Sequence, residues 1–316
     1  MLYLVTGGAG FIGSNIVQRL IKDGKEVRII DNFSSGMRSN IESLLNDIDF
    51  IEGDIRDFWT VVKAVKGVDY IIHQAALPSV PRSIDNPLTS NEVNINGTLN
   101  ILEAAKFYNV KRVIYASSSS IYGDTEIMPK EESMPPSPLS PYAITKLAGE
   151  RYCQIYHQLY GLETVALRYF NVFGPNQNPH SQYSAVVPKF ILALFNGKSP
   201  IIHGDGTQSR DFTYIDNVVN ANILACFVKD AVGHIINIAC GMEYDLNMIF
   251  NKLNNIIGTD IKATYSAHKP GDVKRSLADI SKAKVLLGYK PEIDLQEGLL
   301  RTVDYFKNNI EKENER

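Results

Sequence analysis

A chain of 316 residues, 44% of them hydrophobic, is long enough to bury a large core in one domain or in two closely joined ones. Its 32 basic and 35 acidic residues leave a net charge of −3, so no basic excess points to nucleic acid or to an anionic membrane surface. The three cysteines, Cys153, Cys226 and Cys240, are odd in number and well separated, and the six histidines lack paired metal spacing. A disulfide framework, a zinc site and any other bound metal are therefore not expected, and a reducing cytoplasm fits.

Met1 to Val5 already reads as a strand, so no targeting segment is expected ahead of the fold. Segments 2–6, 26–31, 50–54, 70–75 and 112–118 are rich in Val, Ile, Phe and Tyr and nearly continuous in hydrophobicity, as strands buried on both faces must be. Helical patterns lie between them. Ile12, Ile16 and Leu20 recur four apart, with Gly24 closing the run; 87–108 and 141–161 read as long helices, the latter with Pro near its start and Gly at its end. A sixth strand, 163–171, follows. The apolar stretch 184–195 is broken by Pro188 and Lys189 and is too short and polar to span a bilayer.

This alternation predicts an α/β fold with a doubly wound parallel sheet of the Rossmann kind, whose ligands bind beyond the carboxyl ends of the strands. After Asn171 the rhythm loosens, and 234–240 again reads as a buried strand. The expectation is a first domain over 1–170 with a returning segment near 212–240, and a smaller, discontinuous α/β domain from 171–211 and 241–316.

Gly7, Gly10 and Gly13 form a Gly-x-x-Gly-x-x-Gly turn between the first strand and the first helix. Glycines there let the backbone approach a pyrophosphate and let helix pack on strand, while the helix N-terminus offers unpaired N–H groups. Asp31 ends the second strand, where a carboxylate accepts from the adenosine ribose hydroxyls and repels a 2′-phosphate, which favours NAD over NADP. Asp54-Ile55 and Ala75-Ala76 end the third and fourth strands; alone, they are equally well explained as packing positions.

Tyr142 and Lys146 are four apart near the start of a predicted helix, which puts both on one face. A nearby ammonium favours the phenolate of a tyrosine that otherwise titrates near pH ~10. Such a phenolate takes a proton from a sugar hydroxyl as hydride leaves the same carbon. The run Ser117-Ser118-Ser119-Ser120 at the end of the fifth strand supplies a hydroxyl to share that hydrogen.

These pieces, with Asn32, Gly53, Asn94, Ser140-Pro141, Arg168-Tyr169-Phe170-Asn171 and Ser209-Arg210-Asp211, form an ordered set spanning nearly the whole chain. As a set they resemble the extended short-chain dehydrogenase/reductases, and among these the UDP-sugar 4-epimerases. The resemblance implies that Gly7, Gly10, Phe11, Ile12 and Gly13 hold pyrophosphate, Asp31 and Asn32 the adenosine ribose, and Asp54 with Ile55 the adenine. Ala75, Ala76 and Asn94 are assigned to the cofactor site as well. Tyr142 becomes the base, Lys146 the partner of the nicotinamide ribose, Ser118 the catalytic hydroxyl with Ser119 and Ser120 as further candidates, and Tyr169 a neighbour of the nicotinamide. Asn171 and Arg210 are implied to meet the UDP phosphates and Asp272 the uridine ribose. The segment 76–83, with Ser79 and Arg82, resembles the substrate loop of UDP-N-acetylglucosamine and N-acetyl-uronic acid 4-epimerases, as do Gln177, Ala185 and Val186. Two positions depart from that subgroup: Pro78 replaces its usual Gly, and Lys269 replaces an Arg at the diphosphate, a point charge without the bidentate fork. A UDP-sugar substrate and a homodimer through 87–108 and 141–161 are implied; a nucleic-acid or membrane partner is not.

Related 4,6-dehydratases carry an Asp-Glu pair directly after the catalytic hydroxyl, and related decarboxylases a Glu; here Ser119 and Ser120 stand there, so epimerisation is favoured. UDP-glucose and UDP-glucuronate 4-epimerases remain alternatives, the second because Arg82 can pair with a C6 carboxylate. A dinucleotide-binding regulator would be expected to have lost Tyr142, Lys146 or Ser118. The segment 271–279 aligns Ser276 with the position beside the sugar's 2-substituent, where a small residue admits an acetamido group and enzymes restricted to unacetylated sugars usually carry Tyr.

Overall fold

The computed structural model describes residues 1–179, 185–267 and 273–314. Its first half runs β1 (Leu2–Thr6), α1 (Phe11–Lys22), β2 (Glu26–Asp31), β3 (Ile48–Glu52), α2 (Phe58–Val65), β4 (Tyr70–His73), α3 (Val80–Asp85), α4 (Pro87–Asn91), α5 (Gly97–Phe107), β5 (Arg112–Ser118), α6 (Pro141–Tyr160) and β6 (Glu163–Tyr169). The second half adds β7 (Val172–Phe173), α7 (Val186–Phe195), β8 (Ile201–His203), β9 (Ser209–Arg210), β10 (Thr213–Tyr214), α8 (Ile215–Phe227), β11 (Ile235–Ile238), β12 (Tyr244–Asp245), α9 (Leu246–Ile257), β13 (Thr264–Ser266), β14 (Arg275–Ser276), α10 (Ser281–Leu287) and α11 (Leu295–Asn314).

Seven strands make one parallel sheet in the order β11-β6-β5-β4-β1-β2-β3. The order reverses between β1 and β4, and that switch point opens a crevice at the carboxyl ends of the strands. Successive residues of a strand serve opposite faces. Val5 and Ile29 pack with Ile16, Leu20 and Val219 on the α1–α8 side, whereas Leu4 and Ile30 pack with Val61, Ile101 and Leu102 on the α2–α5–α6 side. Burial on both faces is why these strands read as unbroken apolar runs.

Several predicted boundaries shift, each for a local reason. β3 ends before Asp54 because that carboxylate turns out to bond Asn32 and Arg56. β4 ends at His73, after which the Ala75 N–H is taken by the Thr6 hydroxyl at 3.1 Å instead of a neighbouring strand. Segment 76–83, read as a loop, contains α3, started by Ser79 as cap and Pro81 in the first turn. The predicted 87–108 helix is α4 and α5 joined through a π turn, Glu92–Asn96. α6 begins at a Ser140 cap and ends on Gly161 in the left-handed conformation, as its Pro and Gly implied. Among the described residues no helix is long and apolar enough to cross a membrane.

Candidate active site

One cleft of about 1550 Å³ runs along the carboxyl ends of the strands and into the second half of the chain. At its start Gly7 sits at φ +67°, and a Cβ on Gly13 would lie 2.1 Å from the Gly7 carbonyl oxygen, so this turn admits no side chain at its packing contact. Gly10 caps α1 without a side-chain acceptor, leaving the first N–H groups of the helix toward the cleft with Phe11, Ile12 and Gly13 in its wall. Asp31 is nearly buried; its two oxygens accept from Ala9 N (2.9 Å) and Phe33 N (2.8 Å) and keep further lone pairs. Burial raises its carboxyl above the usual range, and the backbone N–H groups oppose this in part. Asn32 donates to Asp54 at 2.9 Å, and Arg56 pairs with Asp54 and holds its carboxyl below the usual range. Asn32, Asp54, Ile55, Ala75 and Ala76 all line the cleft.

Ser118 ends β5 and accepts from the Ser120 N–H and hydroxyl at 3.2 and 2.9 Å, and Ser119 faces the same space. Tyr142 enters from the first turn of α6, where the Ser83 hydroxyl accepts its backbone N–H at 3.0 Å. Desolvation pushes the Tyr142 phenol up to about 12, and a hydrogen bond with Ser118 draws it back. Lys146 lies one turn on, nearly buried, with Nζ 2.7 Å from the Ala116 carbonyl and 6.0 Å from the centre of the Tyr142 ring. Burial lowers its ammonium to about 8. Burial and the Ser118 hydrogen bond thus set the phenol in the chain alone, and the anticipated pull of this ammonium is not among the causes.

Asn94 does not reach the cleft wall. It is buried in the π turn, where it accepts from Leu77 N at 2.8 Å and donates to Thr145 at 3.0 Å, tying the loop after β4 to α6. Tyr169 lines the cleft while its hydroxyl donates to Asn222 and accepts from Gln74, both at 2.9 Å. Burial raises that phenol well above its ordinary value.

Ser79, Arg82, Asn171, Gln177, Ala185, Val186, Arg210 and Ser276 line the other part of the cleft. Asn171 takes φ +32°, outside the range most side chains tolerate, and its amide donates to the Asp211 carbonyl. The buried Gln177 Oε1 has no hydrogen-bond partner among the described residues. Ser276 is 5% exposed in β14, opposite Arg210 of β9. Lys269 and Asp272 fall outside the described residues. Sequence reasoning passed over Gln74, Lys130 and the turn 34–37, which also line the cleft; the composition of that turn was its one available signal. Among the described residues no cluster suited to a metal ion occurs.

A parallel sheet with a glycine cradle at its switch point, joined to a buried Ser–Tyr–Lys group, defines a dinucleotide-binding enzyme. Residues 3–239 match the model of the NAD dependent epimerase/dehydratase family. A putative UDP-glucose 4-epimerase of Methanocaldococcus jannaschii is 42% identical, over 98% of this chain and 99% of that protein. A UDP-glucuronate 4-epimerase of Thermodesulfobacterium geofontis is 39% identical, over 98% and 97% respectively. The solved UDP-N-acetylglucosamine 4-epimerase of Methanobrevibacter ruminantium, in complex with UDP-N-acetylmuramic acid, superposes with a TM-score of 0.93 at 44% identity, covering 97% of this chain and 98% of that one. The chain belongs to the NAD-dependent epimerase/dehydratase family of enzymes.

Proposed function

We propose that the protein inverts C4 of a UDP-linked hexose, with UDP-N-acetylglucosamine and UDP-N-acetylgalactosamine as the interconverted pair. The observation that carries this reading is the placement of the Ser118–Tyr142 pair in one cleft, between the glycine cradle and the Asn171–Arg210–Ser276 segment. The names of the relatives support a UDP-sugar.

The cradle fits NAD: Gly7, Gly10 and Gly13 leave room for pyrophosphate, and Asp31 suits a ribose diol and disfavours a 2′-phosphate. When bound, NAD supplies a reversible hydride acceptor, so that the reaction consumes no net oxidant. Tyr142 receives the O4 proton and later returns it, with Ser118 sharing that hydrogen. Because the chain alone holds Tyr142 as a phenol, the base form depends on positive charge from Lys146 and from the loaded site. A dehydratase is disfavoured because Ser119 and Ser120 supply no second acid/base.

We assign coenzyme binding to 1–170 with the returning 212–240 segment, and UDP-sugar binding to 171–211 and 241–316. Three thiols outside any disulfide fit a reducing cytoplasm. We also propose a homodimer through α4–α5 and α6. A second reading, a uronate 4-epimerase, is favoured by Arg82 in the cleft wall.

Pure protein incubated with UDP-N-acetylglucosamine should yield the C4 epimer without added reductant, as resolved by chromatography. Tyr142→Phe removes the base and should lower kcat by roughly 10²–10⁴-fold with an unchanged circular dichroism spectrum. Near-normal turnover in that variant would exclude Tyr142 as the base.

A further inference from the structure

Segments that line the substrate half of the cleft meet at one residue behind its wall. Asp211 directly follows Arg210, between β9 and β10, and is fully buried. Its main chain holds two neighbours: its N–H donates to the Ser276 carbonyl at 2.7 Å, and its carbonyl accepts from Asn171 Nδ2 at 3.3 Å. Its carboxyl holds two further stretches. One oxygen accepts from Cys240 N at 2.9 Å, the other from Gly241 N at 2.8 Å and from Ala278 N at 3.4 Å. Cys240 and Gly241 follow β11 of the large sheet, and Ala278 follows β14, two residues after Ser276. The carboxyl thus ties the large sheet to the strand that carries Ser276.

Backbone N–H groups, not a cation, meet this carboxyl. Burial raises it to about 7, and the N–H groups of Cys240, Ala278 and Gly241 oppose that rise. The titratable groups that feel its charge are the Cys240 thiol and the phenols of Tyr244 and Tyr289; burial pushes all three up, so they are neutral near pH 7. The adjacent Arg210 guanidinium donates to the Ser209 and Lys274 carbonyls. A carboxylate has lone pairs for all three N–H groups, whereas the protonated acid turns one oxygen into a donor. A buried N–H then faces an O–H, and the tie to 240–241 or to 278 is released.

We propose that Asp211 is a positioning residue for the sugar nucleotide: its carboxylate and main chain hold Asn171, Arg210 and Ser276 at one spacing, so that substrate affinity depends on it while the hydride and proton steps do not. This rests on the reading of that half of the cleft as the UDP-sugar site. Ser118 and Tyr142 stand on β5 and α6, and the glycine cradle follows β1, all outside the clamp. Acidification should act as loss of the carboxylate does, weakening affinity as pH falls through about 7. Lys130 and Lys146, both lowered by burial to about 8, gain charge over the same fall and would draw a diphosphate in. Weakening on acidification therefore carries the sign of Asp211 and not of these lysines.

The test reads KM, kcat and bound NAD for wild type and Asp211→Asn with UDP-N-acetylglucosamine, and calorimetric Kd for the same probe in a Tyr142→Phe background, where turnover does not intervene. The amide keeps the size of the carboxyl and one acceptor, but turns N–H donors on the other stretch. KM and Kd should rise at least about ten-fold, the scale of a buried N–H left without an acceptor, while kcat and the NAD released on denaturation stay near their wild-type values. With Asp211 present, Kd should rise by up to about ten-fold for each pH unit below about 7, and Asp211→Asn should lack that dependence. Both phosphates of the probe are esterified, so its own charge stays constant over this range. Should Asp211→Asn not fold, the pH dependence with Asp211 present decides alone. An unmoved KM, a kcat that falls in proportion, or a Kd that stays flat or tightens on acidification overturns the proposal and leaves the epimerase reading standing. Failure of wild type to bind or epimerise any UDP-hexose overturns that reading itself.

Discussion

At the scale of single residues, the proposed reading gives Ser276, which lines the cleft, the task of setting how much room the sugar's 2-substituent has. Its main chain is fixed, because the Asp211 N–H donates to its carbonyl at 2.7 Å and β14 runs beside β9. A larger side chain there has no backbone freedom with which to retreat from the cleft. Ser276→Tyr should therefore exclude an acetamido group by steric clash, lowering kcat/KM for UDP-N-acetylglucosamine by ten-fold or more, on the scale of about 1–3 kcal/mol for overpacking a filled site. UDP-glucose, which lacks that group, should suffer far less, and steady-state kinetics with both sugars checks the split. Equal losses on both would mean that Ser276 does not face the substituent. The position was read from a short ordered match, but its burial was not legible: a serine directly after Lys274-Arg275 reads equally well as an exposed turn. Lys130 was illegible for the opposite reason, since a lysine in a Pro-Lys-Glu-Glu stretch reads as solvated surface, and only its contacts with Leu277 and Asp279 draw it inward.

At the scale of elements, a buried polar chain joins the strand ends to the helix that carries Tyr142. The Thr6 hydroxyl accepts from Ala75 N, which leaves its proton for His73 Nδ1 at 2.7 Å. The Thr98 hydroxyl donates to the Asn94 carbonyl at 2.6 Å and so accepts from His73 Nε2 at 3.0 Å. These roles assign a neutral imidazole with its proton on Nε2. Asn94 then donates to Thr145, whose hydroxyl donates to the Tyr142 carbonyl at 2.7 Å. Neither the π turn nor this chain was legible, because a π turn keeps the residue types of an ordinary helix, and a buried histidine carries no mark of its partners. The consequence is a pH dependence. Burial, with Lys146 adding to it, lowers the His73 imidazole from 6.5 to about 3, so the unfolded chain binds a proton there that the folded chain rejects. The stabilising contribution is therefore complete above 6.5 and is lost progressively as pH falls toward 3. Urea midpoints measured between about pH 7 and pH 4 should decline more steeply in wild type than in His73→Gln, by up to about 1.4 kcal/mol per pH unit. Parallel declines would remove His73 from the account.

At the scale of the whole molecule, the doubly wound parallel sheet was legible because the first half repeats strand and helix with doubly buried, unbroken apolar runs. Apart from β11, which was read as the strand 234–240, the second half was not, because its strands are two or three residues long and several find partners far away in sequence: β8 pairs with β13, and β9 with both β12 and β14. Pairings set by tertiary contact leave no local period to read. One feature of the outer surface does follow from the pattern of the long helices. Leu88 of α4, Phe107 of α5 and Leu159 of α6 are 77%, 73% and 69% exposed, and Ile144 and Ile155 lie on the same side of α6 as Leu159. A helix that carries a second apolar stripe away from its own core asks for a partner, and α5 packs directly against α6 to make one surface of both. Two copies meeting through these helices bury that stripe in a four-helix contact with two-fold symmetry. Sedimentation at micromolar concentration should thus give a dimer for the wild type. A carboxylate placed on the stripe by Leu159→Asp would be buried without a partner, at a cost on the order of several kcal/mol, and should shift the protein to monomer while leaving its far-ultraviolet circular dichroism intact. The same substitution at Val285, equally exposed but on α10 and away from these helices, should leave the sedimentation coefficient where it was. If Leu159→Asp remained dimeric, the contact would lie elsewhere and the stripe would be ordinary exposed surface.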